Sequence, residues 1–264
     1  MDIFQKMNDA MKKAQESYIK IPIEDNETIQ KVLNYLEKIG ETENFKNNLK
    51  TLTIQKNTYL NKDQPDGNYN PHNNTITINK EEALLHELIH CASTKDYDNE
   101  GVLLITYPND FNKDIIITGK SFNEGFCDYL SKEIDPSYEL RYPLEELIVE
   151  RILDKYGAEV IHYFLNSDSK SFHEFINDND LNSLLTDLDN YTNLFSESTK
   201  MIPDEESLKS FYNSYQNIMT NDLKLILDEE KIKELEDDFF NTSIGAQTNY
   251  VLYQHEVNKR KKKK

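Results

Sequence analysis

The chain has 264 residues, enough for one large domain or two small ones, and 16 Tyr and 12 Phe supply aromatic area for a core. Asp and Glu number 48 against 30 Lys and Arg, a net charge of -18; the last six residues, Lys259–Lys264, are all basic, so the body carries 24 against 48. A body that acidic repels nucleic acid and anionic membranes; no run of about eighteen apolar residues offers a membrane span, and two cysteines cannot make a disulfide scaffold.

In chain order, 1–18 and 26–39 have helical periodicity, broken by Ile21-Pro22-Ile23. The segment Met1–Lys6 lacks the apolar stretch of a signal peptide, so a cytoplasmic protein is expected. Leu49–Ile54 alternates like a strand, Asn61–Asn74 is rich in turn residues, and Thr75–Ile78 alternates again, which together predict a small, partly exposed sheet. A helix follows from Lys80, with Asn79 and Glu82 spaced as a capping box. Two further strand-like runs, Gly101–Tyr107 and Asp114–Thr118, predict a hairpin with Pro108-Asn109-Asp110 at its tip. A helix is expected from Phe122 to Lys132, and helices over 143–166, 205–218 and 222–239. The expected organisation is an N-terminal helical segment (1–48), a core with sheet and site helices (49–138), a C-terminal helical part (139–256) and a basic tail (257–264).

Chemistry concentrates at His86-Glu87-Leu88-Ile89-His90. On a helix, histidines four apart share a face and can hold one Zn²⁺ between them, with the intervening Glu87 reaching a metal-bound water. A helical plot puts Leu84, Leu85, Leu88, Ile89, Cys91 and Ala92 on one broad arc and His86 and His90 opposite, one face for the core and one for a site. A zinc site needs a third protein ligand. Glu124 and Asp128, also four apart, would repel on one helix face unless a cation sits nearby, with Glu124 on the metal and Asp128 accepting a ligand histidine's N–H. A plainer reading makes Ser121 and Glu124 a capping box that closes a helix end.

The pair of motifs, His86-Glu87-x-x-His90 and Asn123-Glu124-x-x-x-Asp128, resembles the gluzincin group of zinc metallopeptidases, of which thermolysin and aminopeptidase N are types. The resemblance spans about residues 66–132, a quarter of the chain. It implies an α+β, mostly helical zincin-like fold with a small mixed β-sheet beside the active-site helix. It also implies one Zn²⁺ per chain on His86, His90 and Glu124, Asp128 orienting His86, Asn123 in support, and Glu87 as general base in the hydrolysis of a peptide or protein substrate. The segment Gly67–Ile78 is similar to the strand region that pairs with substrate backbone. A Tyr or His often stabilises the oxyanion in that group, a role open here to Tyr129, Tyr142, Tyr163 or His162. Two departures stand out: Cys127 where Ser or Thr is common, and 33 residues between His90 and Glu124, a length that a hairpin insertion accounts for. The aminopeptidase motif Gly-x-Met-Glu-Asn is absent, which favours an endopeptidase.

Rival ligands are Asp96, six residues after His90 but with Ser93 where a turn-forming Gly belongs, and Cys127, one turn from Glu124; Cys91 points toward the core arc. Asp178-x-Asp180-x-Asn182 resembles the start of a calcium loop without its glycine. His72, His162, His173 and His255 are isolated. Two other functions fit the same residues: a zinc-binding pseudopeptidase serving as a scaffold, and a metal-free helical module docking a basic partner.

Overall fold

The computed structural model describes residues 18–58, 65–96, 99–106, 115–198 and 205–262. The expected helix over 1–18 lies outside them except for Tyr18, which begins a strand; the hairpin tip at Pro108-Asn109-Asp110 also lies outside them. The architecture is α+β, with eleven α-helices and three small sheets among the described residues. No helix in them is long and apolar enough to cross a membrane.

Strand β1 (Tyr18–Ile21) opens the described chain, and helix α1 (Glu27–Ile39) follows. The Asn26 carboxamide oxygen accepts from the Thr28 and Ile29 amides, satisfying two of the orphan donors at a helix start, and Ile29, Val32 and Leu36 form the buried stripe. Helix α2 (Glu43–Leu49) buries Phe45. Strands β2 (Thr53–Asn57), β3 (Gly67–Asn70) and β4 (Thr75–Ile78) join β1 in a mixed sheet of order β1-β2-β4-β3. β2 and β4 run parallel with Ile54 opposite Ile76; β3 is an antiparallel edge with Gly67 opposite Ile78. Ile54, Ile76 and Ile78 face the core, as period-two alternation requires.

Helix α3 (Ala83–Ala92) lies on this sheet and is ringed by α1, α2, β3, β4 and α4 (Lys120–Ile134). The expected division into a core face and a site face is seen, with Leu84, Leu85, Leu88, Ile89, Cys91 and Ala92 in the core and His86, Glu87 and His90 on a cleft, and all ten residues of α3 are buried. Packing from every side closes over the polar face as well, leaving only the mouth of a cleft. The helix also begins later than its capping pattern implies. Asn79 does not cap it; its side-chain amide donates to the Pro65 carbonyl, and the Asn79 and Lys80 amides both bond the Asp66 carbonyl.

Strands β5 (Thr94–Asp96) and β6 (Asn99–Glu100) form a short ribbon after α3, and β7 (Leu104–Thr106) pairs with β8 (Ile116–Thr118) as the expected hairpin, Ile105 opposite Ile117. Helix α4 follows Gly119. Then come α5 (Pro143–Tyr156), α6 (Val160–Leu165), α7 (Ser169–Asp178), α8 (Asn182–Ser198), α9 (Glu205–Asn217), α10 (Glu229–Phe240) and α11 (Ser243–Lys262). α4 packs extensively along α5, and Phe126 of α4 stacks on Phe164 of α6 with centroids 5.1 Å apart.

Several boundaries differ from expectation. The alternating run Leu49–Ile54 is not one strand: Leu49 ends α2, and pairing begins at Thr53, where β4 offers partners. The 143–166 helix is interrupted at Gly157; in 222–239 a 3-10 turn at Leu223–Leu225 precedes an α-helix that starts at Glu229, where the Asp228 side chain accepts from the Lys231 amide. Strands β1, β5 and β6 carry no alternation long enough to mark them.

Candidate metal centre

Two chain segments converge on α3. From α3 itself come His86, Glu87 and His90, on successive turns of a buried helix. α4 brings Asn123, Glu124, Cys127 and Asp128, and the α4–α5 connection brings Tyr138, Arg141 and Tyr142.

The two imidazoles are fixed from behind. Asp128 Oδ1 lies 2.9 Å from His86 Nδ1, and Glu100 Oε1 lies 2.7 Å from His90 Nδ1. A carboxylate accepts, so each Nδ1 carries a proton, and each Nε2 presents a lone pair when its ring is neutral. Those Nε2 atoms are 3.1 Å apart, and Glu124 Oε2 is 3.1 Å from the first and 3.4 Å from the second. With both rings neutral these three electron-rich atoms repel unless a cation lies among them; without a cation, a proton on an imidazole supplies the positive charge.

Electrostatics say the same. Burial disfavours a charged His86, yet hydrogen bonds to Asp128 and Glu124 outweigh it and lift its pKa to about 9. His90 is raised well above its usual value against its own burial, by Cys127, Glu124 and Glu100. Burial opposes an ionised Glu124, but His90 and His86 hold it well below the usual carboxylate range. The cluster is built to retain positive charge. Among the described residues, none of Glu87, Glu100, Glu124 and Asp128 forms an ion pair with a Lys or Arg.

Asp128 is fully buried and saturated with donors: the Tyr138 hydroxyl at 2.8 Å, the Arg141 and Tyr142 amides at 2.6 and 2.5 Å, and His86. Glu124 points at the histidines, so the capping-box reading of Ser121 and Glu124 is corrected. The Ser121 amide and hydroxyl both donate to Asp189 of α8, at 2.8 and 2.6 Å, and the Gly119 amide does too.

Glu87 differs from the other three carboxylates. It is 5% exposed, makes no hydrogen bond to another described residue, and burial raises its pKa although both histidines oppose this. It lines a cleft of about 1130 Å³ with His86, His90, Glu124, Arg141 and Tyr142. Strand β3 forms one wall, passing so close that a Cβ on Gly67 would stand 2.6 Å from Glu87 Oε1. Leu103, Ile115 and Ile117 at the β7–β8 hairpin form an apolar stretch of the wall, with Ile115 and Ile117 more than half exposed.

His86, His90 and Cys127 also present ligand-type atoms within 4.8 Å of one another, and such a group could bind a metal. Cys127 is fully buried, and burial pushes its thiol up to about 12. Asp96 lies exposed on β5, where its carboxylate accepts from the Asn99 side chain, so it is not part of the cluster. Cys91 is buried in the core. Of the four oxyanion candidates only Tyr142 lines the cleft, with its ring stacked on His86 at 5.8 Å; His162 bonds Glu41 at the surface and Tyr163 packs beside Phe175. Sequence reasoning missed Glu100 and Tyr138. Their one signal was proximity to the motifs, and neither stands at a helical spacing from them.

Compared with protein-family models, curated proteins and solved structures, the chain finds no match.

Proposed function

We propose that this chain is a zinc-dependent peptidase with a zincin-like fold and the gluzincin ligand set His86, His90 and Glu124. One observation carries the reading: the triangle of His86 Nε2, His90 Nε2 and Glu124 Oε2 has edges of 3.1, 3.1 and 3.4 Å. Tetrahedral zinc with bonds of about 2.0–2.1 Å places its nitrogen and oxygen ligands roughly 3.3–3.4 Å apart, so the donors present fit the ion. Glu124 is preferred to Cys127 because its carboxylate is already ionised and directed at both Nε2 atoms, whereas the thiol must first lose a proton that burial holds.

Zinc in that position supplies Lewis-acid polarisation of a peptide carbonyl and acidifies a water. The protein's own residues do the rest. Glu87, at the cleft with no hydrogen bond to another described residue, takes a proton from the attacking water and passes it to the leaving amine. Tyr142 keeps its proton, because Glu124 and burial both raise its pKa well above the usual value, and its hydroxyl is available to the developing oxyanion. Asp128 and Tyr138 hold His86 in its Nδ1–H tautomer. Among the described strands β3 is an edge, which offers its backbone to an extended peptide beside Glu87.

The test is zinc content per chain by elemental analysis together with turnover of a mixed fluorogenic peptide library. Wild type should hold about one zinc, Glu124→Ala should lose it, Cys127→Ala should keep it, and Glu87→Gln should keep zinc while losing turnover. Zinc lost with Cys127 but retained without Glu124 would overturn the ligand set. Full turnover by Glu87→Gln would overturn the mechanism, and a zinc-loaded wild type without turnover would leave a zinc-binding scaffold.

A further inference from the structure

The second histidine has a support of its own. A ligating imidazole keeps its orientation and electron density only if its far nitrogen donates to a fixed acceptor. For His86 that acceptor is Asp128, at the spacing of the sequence motif. For His90 it is Glu100, which stands in no motif. Glu100 ends the short strand β6, and its Oε1 lies 2.7 Å from His90 Nδ1.

Glu100 is itself held. The Asn123 side-chain amide donates to Glu100 Oε1 at 3.1 Å, and Asn123 Oδ1 accepts from the Val102 amide at 3.1 Å. Between them Gly101 turns with φ +53°, its amide donating to the Ser93 carbonyl at 2.8 Å. A Cβ at Gly101 would lie 1.9 Å from Asn123 Oδ1 and 2.8 Å from Phe164 Cε2, so any other residue there expels Asn123 from its place. Gly101, Asn123 and Glu100 therefore form one unit whose output is the direction of His90 Nε2. Glu100 Oε1 serves the ring nitrogen away from the donor triangle, which makes Glu100 a support for a ligand and not a ligand.

We infer that Glu100 is a positioning residue that, steered by Asn123 across Gly101, fixes the tautomer and aim of His90 and thereby sets the affinity of the site for a divalent metal. The inference rests on the His86–His90–Glu124 site proposed above.

Zinc affinity would be measured on the full chain by competition with a chromogenic chelator, with Co²⁺ absorption as a second readout of ligand geometry and circular dichroism of the metal-free protein as the check on folding. Glu100→Ala is expected to weaken zinc binding by about 10- to 100-fold and to alter the Co²⁺ spectrum. Glu100→Gln, whose carbonyl still accepts from His90 Nδ1, should recover part of the loss. Gly101→Ala should weaken binding although Glu100 is present. Wild-type affinity and spectrum in Glu100→Ala or, if that variant does not fold, in both Glu100→Gln and Gly101→Ala would overturn the inference. Failure of the underlying site is read separately, as a wild-type chain that binds no zinc.

Discussion

The Nε2 atoms of His86 and His90 face each other across 3.1 Å while both opposite ring nitrogens are held by carboxylates. Neither ring can turn its Nε2 away without breaking a buried hydrogen bond, at about 1–3 kcal/mol for each orphaned group. If the proposed cation binds there, it stabilises the folded chain by mass action. The consequences reach the strand beside the helix, the tyrosine at the cleft and the core behind α4.

Gly67 lets β3 pass Glu87. In Gly67→Ala the new methyl would meet Glu87 Oε1 at 2.6 Å and Ala83 Cβ at 2.8 Å, so the strand and the carboxylate both have to shift. Overpacking of this kind costs roughly 1–3 kcal/mol, and a general base displaced by about 1 Å loses up to about 100-fold in turnover. Zinc content should stay at the wild-type level, since no ligand touches Gly67. Steady-state kinetics beside elemental analysis checks this; unchanged turnover would mean that Glu87 is not placed by β3.

Tyr142 is the cleft tyrosine, stacked on His86. Removing its hydroxyl in Tyr142→Phe keeps the stacking and, under the proposed mechanism, takes away one donor to the transition state. The expected result is a fall in kcat of about 100-fold with KM and zinc content nearly unchanged. A change in KM alone would make Tyr142 a substrate-binding group instead.

Glu145 of α5 is fully enclosed and accepts from the Thr192 hydroxyl at 2.6 Å; burial pushes its pKa from 4.5 up to about 7. The folded chain thus holds a proton there that the unfolded chain releases. The stability this provides is complete below about pH 4.5 and is lost as pH rises through about 7. Glu145→Gln keeps the acceptor without the charge, so its stability relative to wild type should improve between pH 5 and pH 8 by on the order of 3 kcal/mol. Urea unfolding of both proteins at the two pH values measures it, and an equal difference at both would refute the assignment.

Local sequence rules went furthest where a structure is local. The 3.6-residue period marked α1 and placed His86 above His90 and Glu124 above Asp128, because one turn of helix fixes which residues share a face. Even so, Ser121 and Glu124 matched a capping box and form none. The competing partner, Asp189, is 68 residues from Ser121 and becomes its neighbour only when α8 packs on α4.

From the sequence alone came the pair of histidines, the glutamate between them, the acidic pair downstream and the mixed sheet nearby, all expressed in spacings of two to five residues. Only the tertiary structure decided that α3 is buried on every side, that Tyr142 and not Tyr129, Tyr163 or His162 lines the cleft, and that Glu100 stands behind His90. Those outcomes depend on how helices and strands far apart in the chain cross one another. Hydrophobic periodicity determines which face of an element is buried, but not which element comes to cover it.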